Sequence, residues 1–303
     1  MTEKKLRMWV DGKFVSEDDA HVPILTHSLQ YGSGIFEGIR SYDTGKGAAI
    51  FRLDDHINRF FNSAKIYSMN LGYSFEEIKK AIIDTVAKNN LLMSYIRPFA
   101  FYNDAHIGVS VDGKKVSVAI AAIPFGKYFS NASSGVKCKI SSWRRINSDI
   151  LPVEAKASGN YINSIIASNE AKASGFDEAI LLSENGYVAE GPGENIFIVK
   201  NGDLLTPSRS SDILLGITRD TLLKLSADLG ISATERLIHK EELYTCDEAF
   251  FAGTAAEITP IINIDGITIS NGKPGKLTQK LADLYYGIVS GKNKKYSKWL
   301  TYV

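Results

Sequence analysis

Two stretches with helical spacing lie between strand-like stretches in the first third of the chain, and this block order limits the fold more than any other feature. Ile57, Phe60, Phe61, Ala64 and Tyr67 recur at helical spacing behind Asp54 and Asp55, either of which can cap the helix; Arg59 rides on it. A second amphipathic run covers about Phe75 to Lys88. Ahead of both, Met8 to Val10 and Lys13 to Val15 flank Asp11-Gly12, a hairpin signal. Behind them, Tyr95 to Tyr102 and Val116 to Ile123 have the aromatic and β-branched content of strands. Strands and helices that come in blocks indicate an α+β domain.

Pro124-Phe125-Gly126 and the Ser/Asn-rich stretch Ser130 to Gly135 break the pattern. Residues 1–123 are therefore expected to form a small N-terminal α+β domain, 124–133 a linker and 134–303 a larger domain. In the larger part, a helix is expected from Asn160 to Ala173, closed by Gly175, and another from Thr218 to Leu229, ended by Gly230. Short strands are expected at Ala179 to Leu182, Val188 to Ala189 and Ile196 to Val199, with a further hairpin at Asp265-Gly266. No fixed-period repeat or low-complexity tract argues for a solenoid or a disordered scaffold.

Composition narrows the function classes. A chain of 303 residues that is 44% hydrophobic can fill a sizeable core. Its 35 basic and 34 acidic side chains leave a formal charge of +1, too little to recruit nucleic acid or an anionic membrane globally. Lys4-Lys5 and Lys292 to Lys295 read as solvated tails. Cys138 and Cys246 stand far apart, which suggests buried thiols and neither a disulfide framework nor a metal site. The start, Met1 to Trp9, lacks an apolar run of signal length and no later stretch is long enough to span a bilayer, so the cytoplasm is the expected compartment.

Four segments can carry chemistry. Ala155-Lys156-Ala157-Ser158-Gly159-Asn160-Tyr161 sets a lysine among small residues just before an expected helix, whose electropositive end would depress an amine pKa. Glu190-Gly191-Pro192-Gly193-Glu194-Asn195 joins two strand-like runs through a tight turn with carboxylates. Gly216-Ile217-Thr218 opens a helix with free amides and a hydroxyl, and Gly253-Thr254-Ala255-Ala256-Glu257 follows an apolar strand. Each alone reads first as a surface lysine, a plain turn, an ordinary Thr-capped helix or a strand-end turn. All four occurring in order is harder to dismiss.

Together with Tyr31-Gly32, Phe36-Glu37-Gly38-Ile39-Arg40, Arg59 with Ser63-Ala64-Lys65, and Tyr95-Ile96-Arg97-Pro98, these segments resemble the class IV aminotransferases, and the branched-chain amino-acid type in particular. The resemblance runs through most of the chain. It implies pyridoxal 5′-phosphate as cofactor, held by Lys156 as a Schiff base, with Lys156 also moving the proton between the amino-acid Cα and the cofactor. Glu190 would face the pyridine nitrogen and Tyr161 the phenolic oxygen; Arg59, Gly216, Ile217, Thr218 and Thr254 would hold the phosphate.

For substrate, the resemblance implies apolar walls from Phe36, Gly38, Phe125, Tyr128, Tyr161 and Ala255, with Tyr31 and Val109 entering from a partner subunit. Arg97 and Tyr31 would receive the glutamate side-chain carboxylate; Tyr95 and the Thr254-Ala255 amides would receive the α-carboxylate. The implied fold is α+β, with a small domain, a larger domain around a β-barrel-like sheet and the active site between them. The implied assembly is a homodimer or a higher homo-oligomer. Phe125 stands where bacterial members of the family often carry tryptophan, which predicts a roomier pocket, and Ala105-His106-Ile107 falls where the family varies. The five histidines match no catalytic dyad, although His27 precedes Tyr31 and can orient it. D-amino-acid aminotransferases and aminodeoxychorismate lyases would keep Lys156 and Glu190 but need other substrate residues. A non-catalytic protein that binds a phosphorylated ligand would need no covalent lysine.

Overall fold

The computed structural model describes residues 5–126, 128–129 and 134–303. Lys4 of the expected tail, and Lys127 and residues 130–133 of the expected linker, lie outside the described residues. The chain divides into two compact units. The first consists of Met1–Gly126, Ala155–Gly159 and Gly287–Val303, and the second of Lys127–Glu154 and Asn160–Tyr286. Among the described residues, no helix is long and apolar enough to cross a membrane.

The first unit opens with β1 (Arg7–Val10) and β2 (Lys13–Ser16). Asp11 (φ 45°) and Gly12 (φ 87°) join them, the left-handed pair that a two-residue hairpin requires. After α1 (His27–Tyr31) come β3 (Gly34–Phe36), β4 (Ile39–Asp43) and β5 (Ala48–Phe51). Helices α2 (Leu53–Ile66) and α3 (Phe75–Asn89) follow, then β6 (Ser94–Tyr102) and β7 (Val116–Pro124). The sheet runs from the C-terminal strand Leu300–Tyr302 through β5, β4, β6, β7 and β1 to β2, with β3 also on β6, and every pairing is antiparallel. Ile57, Phe60 and Ala64 of α2 and Ile78, Ile82 and Val86 of α3 share one core with Ile39, Ile96 and Ile120 of the sheet.

The two helices start differently. Ser74 and Glu77 form a capping box on α3. Neither Asp54 nor Asp55 caps α2, because that helix begins at Leu53, which is buried, and its N-cap is Arg52 in the left-handed region. The two aspartates fall instead in the first turn, where they face the positive end of the helix, and Asp55 accepts from Arg52 Nε at 2.7 Å.

The second unit contains β8 (Val136–Arg144), α4 (Tyr161–Ala173), β9 (Glu178–Leu182), β10 (Val188–Glu190), β11 (Asn195–Lys200) and β12 (Asp203–Pro207). It continues with α5 (Ile217–Asp228), β13 (Ala233–Arg236), α6 (Glu242–Thr245), β14 (Glu248–Gly253), β15 (Glu257–Ile264) and β16 (Ile267–Thr268). Helix α7 (Lys276–Val289) follows. Strand order is β10-β9-β8-β15-β14-β11-β12-β13, and an additional β10–β11 pairing closes six of these strands into a ring. The fold class is α+β, with a barrel-like sheet in this unit. Val136, Ile180, Ile196, Phe251 and Ile261 fill one core, while α4 covers β9 through Ala167 and Ala171.

Candidate functional site

Side chains alternate between the two faces of a strand, and in the first unit this sorts the expected residues. Phe36, Gly38 and Arg40 fall on one parity of β3 and β4, and Tyr95 and Arg97 come from the neighbouring β6, where Arg40 pairs with Tyr95 and Phe36 with Phe99. The Arg97 guanidinium lies 4.5 Å from the Phe36 ring centroid and donates to Tyr95 Oη at 3.1 Å. Tyr95 packs on Phe125 at 5.0 Å, and Arg40 lies 5.1 Å from the same Phe125 ring and donates to the Gly126 carbonyl. Gly38 is required by this packing: a Cβ there would stand 2.1 Å from Tyr95 Oη.

Lys156 joins this cluster. Phe36 N donates to the Lys156 carbonyl at 2.9 Å, Ile35 bridges to Ala157, and Lys156 N donates to the buried Ser63 Oγ at 3.0 Å, which fastens the segment between β3 and α2. Its Nζ lies 5.0 Å from the Phe36 ring centroid. Burial and then the Arg59 guanidinium push the amine down to about 8 from its ordinary 10.5, against the attraction of Glu37 and Tyr95; Arg97 adds to the push.

Glu37 has the opposite parity and turns to α2. It is wholly buried and accepts from Arg59 Nε at 2.6 Å, Arg59 Nη2 at 2.9 Å and His56 Nδ1 at 2.7 Å. Although burial acts to raise its pKa, Arg59 and His56 together hold the carboxyl well below the usual carboxylate range. Burial pushes His56 down and keeps it neutral. Neither Glu37 nor His56 was among the expected site residues. The signal for His56 is its spacing three residues before Arg59, which sets both on one face of a helix.

In the second unit, Glu190 ends β10 and pairs with Asn195 across the Gly191–Glu194 turn. Its buried carboxylate accepts from Asn195 Nδ2 at 3.0 Å and from Leu214 N at 3.1 Å, and Arg145 Nε stands 2.9 Å away. Two hydrogen-bond donors and one guanidinium thus surround the Glu190 carboxylate. Arg145, itself buried, carries no local sequence signal, since Trp143-Arg144-Arg145 reads like any strand end. Asn195 also donates to the Leu214 carbonyl, and a Cβ on Gly216 would stand 2.1 Å from its Oδ1, so Gly216 lets the start of α5 approach the Glu190 turn. Gly216 is the N-cap of α5 with no side chain to cap it; Ile217 and Thr218 form the first turn, and Thr218 is buried. Tyr161 begins α4, Thr254 and Ala255 occupy the turn between β14 and β15, and Tyr128 is half exposed beside Phe129.

Tyr31 and Val109 make an exposed group of their own. Tyr31 Oη accepts from Gly108 N at 3.1 Å, while His27 spans from Ser33 Oγ at 2.7 Å to the Gly108 carbonyl at 3.0 Å and packs its ring on Tyr31.

Comparisons with known proteins agree with one another. A family model described as amino-transferase class IV matches residues 34–264. The branched-chain-amino-acid aminotransferase of Pseudomonas aeruginosa is 46% identical over 305 residues, 100% of this chain and 99% of its own length. The Escherichia coli K12 protein of the same name is 42% identical over 307 residues, again 100% and 99%. Among solved structures, the branched-chain aminotransferase of the archaeon Thermoproteus uzoniensis with norvaline superposes with a TM-score of 0.95 at 50% identity, covering 99% of each chain. The branched-chain amino acid aminotransferase of Thermobaculum terrenum, solved in its PLP-bound holo form, does so at 0.92 and 36% identity, covering 99% of this chain and 98% of its own.

Proposed function

The chain belongs to the class IV aminotransferases, and we infer that it is a branched-chain amino-acid transaminase that moves an amino group between leucine, isoleucine or valine and 2-oxoglutarate. Its cofactor is pyridoxal 5′-phosphate. The observation that carries the reading is Lys156, an amine lowered to about 8 and set beside an aromatic ring and an arginine in a chain with full-length identity to branched-chain enzymes.

The donor set suits this cofactor: a lysine whose amine is lowered to about 8, a buried carboxylate paired with a guanidinium, a second guanidinium, and uncapped helix amides. Bound, the pyridinium ring supplies an electron sink for the reacting carbon. Lys156 Nζ would take the proton from the substrate Cα and hand it to the C4′ carbon of the cofactor, the reverse transfer serving the other half-reaction. Glu190 would pair with the ring nitrogen, and its carboxylate would keep that nitrogen protonated. Tyr161 hydrogen-bonds the phenolic oxygen. Arg59, Gly216, Ile217, Thr218 and Thr254 bind the phosphate, pairing a planar cation with helix-end donors.

Phe36, Gly38, Phe125, Tyr128 and Ala255 form the apolar wall for a branched side chain. Arg97 serves the glutamate carboxylate in the other half-reaction, and its position over Phe36 supports a double use, since the ring face meets an apolar group and the guanidinium an anion. Tyr95 and the Thr254 and Ala255 amides take the α-carboxylate. Tyr31 and Val109 complete the pocket of a second copy of the chain, so the functional unit is a homodimer or a higher homo-oligomer, located in the cytoplasm. Two free, buried cysteines support a reducing compartment.

The test is spectroscopic. Reconstituted protein should show a visible band that L-leucine removes and 2-oxoglutarate restores, and Lys156→Ala should abolish both band and turnover. Preference for D-alanine over L-leucine would move the chain to the D-amino-acid type. A colourless, inactive protein after cofactor addition would sink the reading altogether.

A further inference from the structure

We propose that Glu37 is a positioning residue for the cofactor, which with His56 as a brace aims the Arg59 guanidinium at the 5′-phosphate; this rests on the reading that Arg59 binds that phosphate.

The geometry around Glu37 goes beyond what pairing a buried charge requires. Both oxygens are engaged: Oε1 accepts from Arg59 Nε, and Oε2 accepts from Arg59 Nη2, His56 Nδ1 and, at 3.2 Å, Gly38 N. A carboxylate that grips Nε and Nη2 together fixes the plane of the guanidinium as well as its place, because the two parallel bonds leave no rotation about Cδ–Nε. The direction of the Nη1 edge is then set. His56 prevents Glu37 from turning: its Nδ1–H is committed to Oε2, and burial keeps the ring neutral, so it adds a bond without adding a competing charge.

Glu37 is also registered to Lys156 through the backbone. Its neighbour Phe36 donates to the Lys156 carbonyl, and Ser63, one turn beyond Arg59 on α2, accepts from Lys156 N. A single carboxylate between β3 and α2 therefore holds the distance from the lysine amine to the guanidinium. That distance must match the span between the aldehyde and the phosphate of one rigid molecule.

The experiment compares pyridoxal 5′-phosphate with pyridoxal, which lacks the phosphate, by titrating each into the cofactor-free full chain and following the visible band. Arg59→Ala should weaken pyridoxal 5′-phosphate far more than pyridoxal, whose smaller loss reflects the Lys156 amine that Arg59 no longer helps to push down; equal losses for the two ligands overturn the premise and the proposal with it. Given that result, Glu37→Gln should weaken pyridoxal 5′-phosphate about tenfold and pyridoxal by less than about twofold, and should add nothing in the Arg59→Ala background. Equal losses for both ligands, or none, would assign Glu37 a purely structural role. Should Glu37→Gln fail to fold, Glu37→Asp keeps the charge and withdraws the carboxylate by one methylene. It should still lose part of the discrimination between the two ligands, and full retention overturns the proposal.

Discussion

Lys156 owes its chemistry to its neighbours. Burial and Arg59 bring its amine to about 8, so the uncharged, nucleophilic form is abundant at a pH where an ordinary lysine is almost fully protonated. Attachment of pyridoxal 5′-phosphate to the cofactor-free protein should rise with pH and reach half its maximum near pH 8; a midpoint above about 10 would remove the electrostatic account. The linkage has a definite sign. Between about 8 and 10.4 the unfolded chain holds more protons on this lysine than the folded chain does, so the cofactor-free protein gains stability as pH rises through that window. The proposed role of Phe125 in selectivity belongs to the same scale. Its ring is held between Tyr95 and Arg40, and a larger indole in that place would take volume from the substrate side chain. The ratio of kcat/KM for phenylalanine to that for leucine should fall roughly tenfold in Phe125→Trp, and an unmoved ratio would show that Phe125 does not line the side-chain pocket. Lys156, Glu190, Arg59 and Arg97 were readable as candidates from their motifs. The environment that activates them was not, because Glu37, His56 and Arg145 act through contacts with residues distant in sequence.

At the scale of elements, Arg145 stands just past the end of β8 and reaches Glu190 at the end of β10, two strands with β9 between them in the barrel. Its charge is buried with that of Glu190, so removing it leaves a carboxylate without its counter-ion in a poorly solvated place. Arg145→Met should cost about 3–5 kcal/mol in urea unfolding, with Arg145→Lys recovering part of the loss; a change below about 0.5 kcal/mol would mean the pair is incidental. Elements with a strong local period were legible. The Asp11-Gly12 hairpin, α3, α4 and β6 lie within a residue or two of their expected bounds. Helix α7 lies outside the expected helices although Leu277, Leu281, Tyr285 and Ile288 repeat at helical spacing. Strand β8 alternates Val136, Cys138 and Ile140, but its partners β9 and β15 run parallel to it, and a parallel partner comes only through a long crossover that leaves no turn signature.

At the scale of the whole molecule, one group of exposed apolar residues in the first unit lies on two segments that are tied together. Ile24, Leu29 and Tyr31 stand with Ile107 and Val109, the last 81% exposed, and a backbone bridge between Thr26 and Ala105 joins the two segments. A second copy that covers this group would explain why it is rigidly built by His27 and Gly108. Val109→Asp should shift the protein toward monomer in light scattering and lower turnover in step, while an unchanged mass and rate would place the assembly surface elsewhere. The sequence by itself determined the local matters: where the chain turns, which faces of its helices and strands are apolar, and which residue types stand ready for a phosphate, an amine and a carboxylate. These follow from short-range sterics and from periods of two and 3.6. Only the tertiary structure decided that Ala155–Gly159 leaves its flanking sequence to lie in the first unit, that Glu37 turns to α2 while Phe36 and Gly38 do not, and that six strands close into a ring. The reason is that periodicity reports the direction of a side chain, whereas the identity of the distant segment it meets depends on the packing of the whole core.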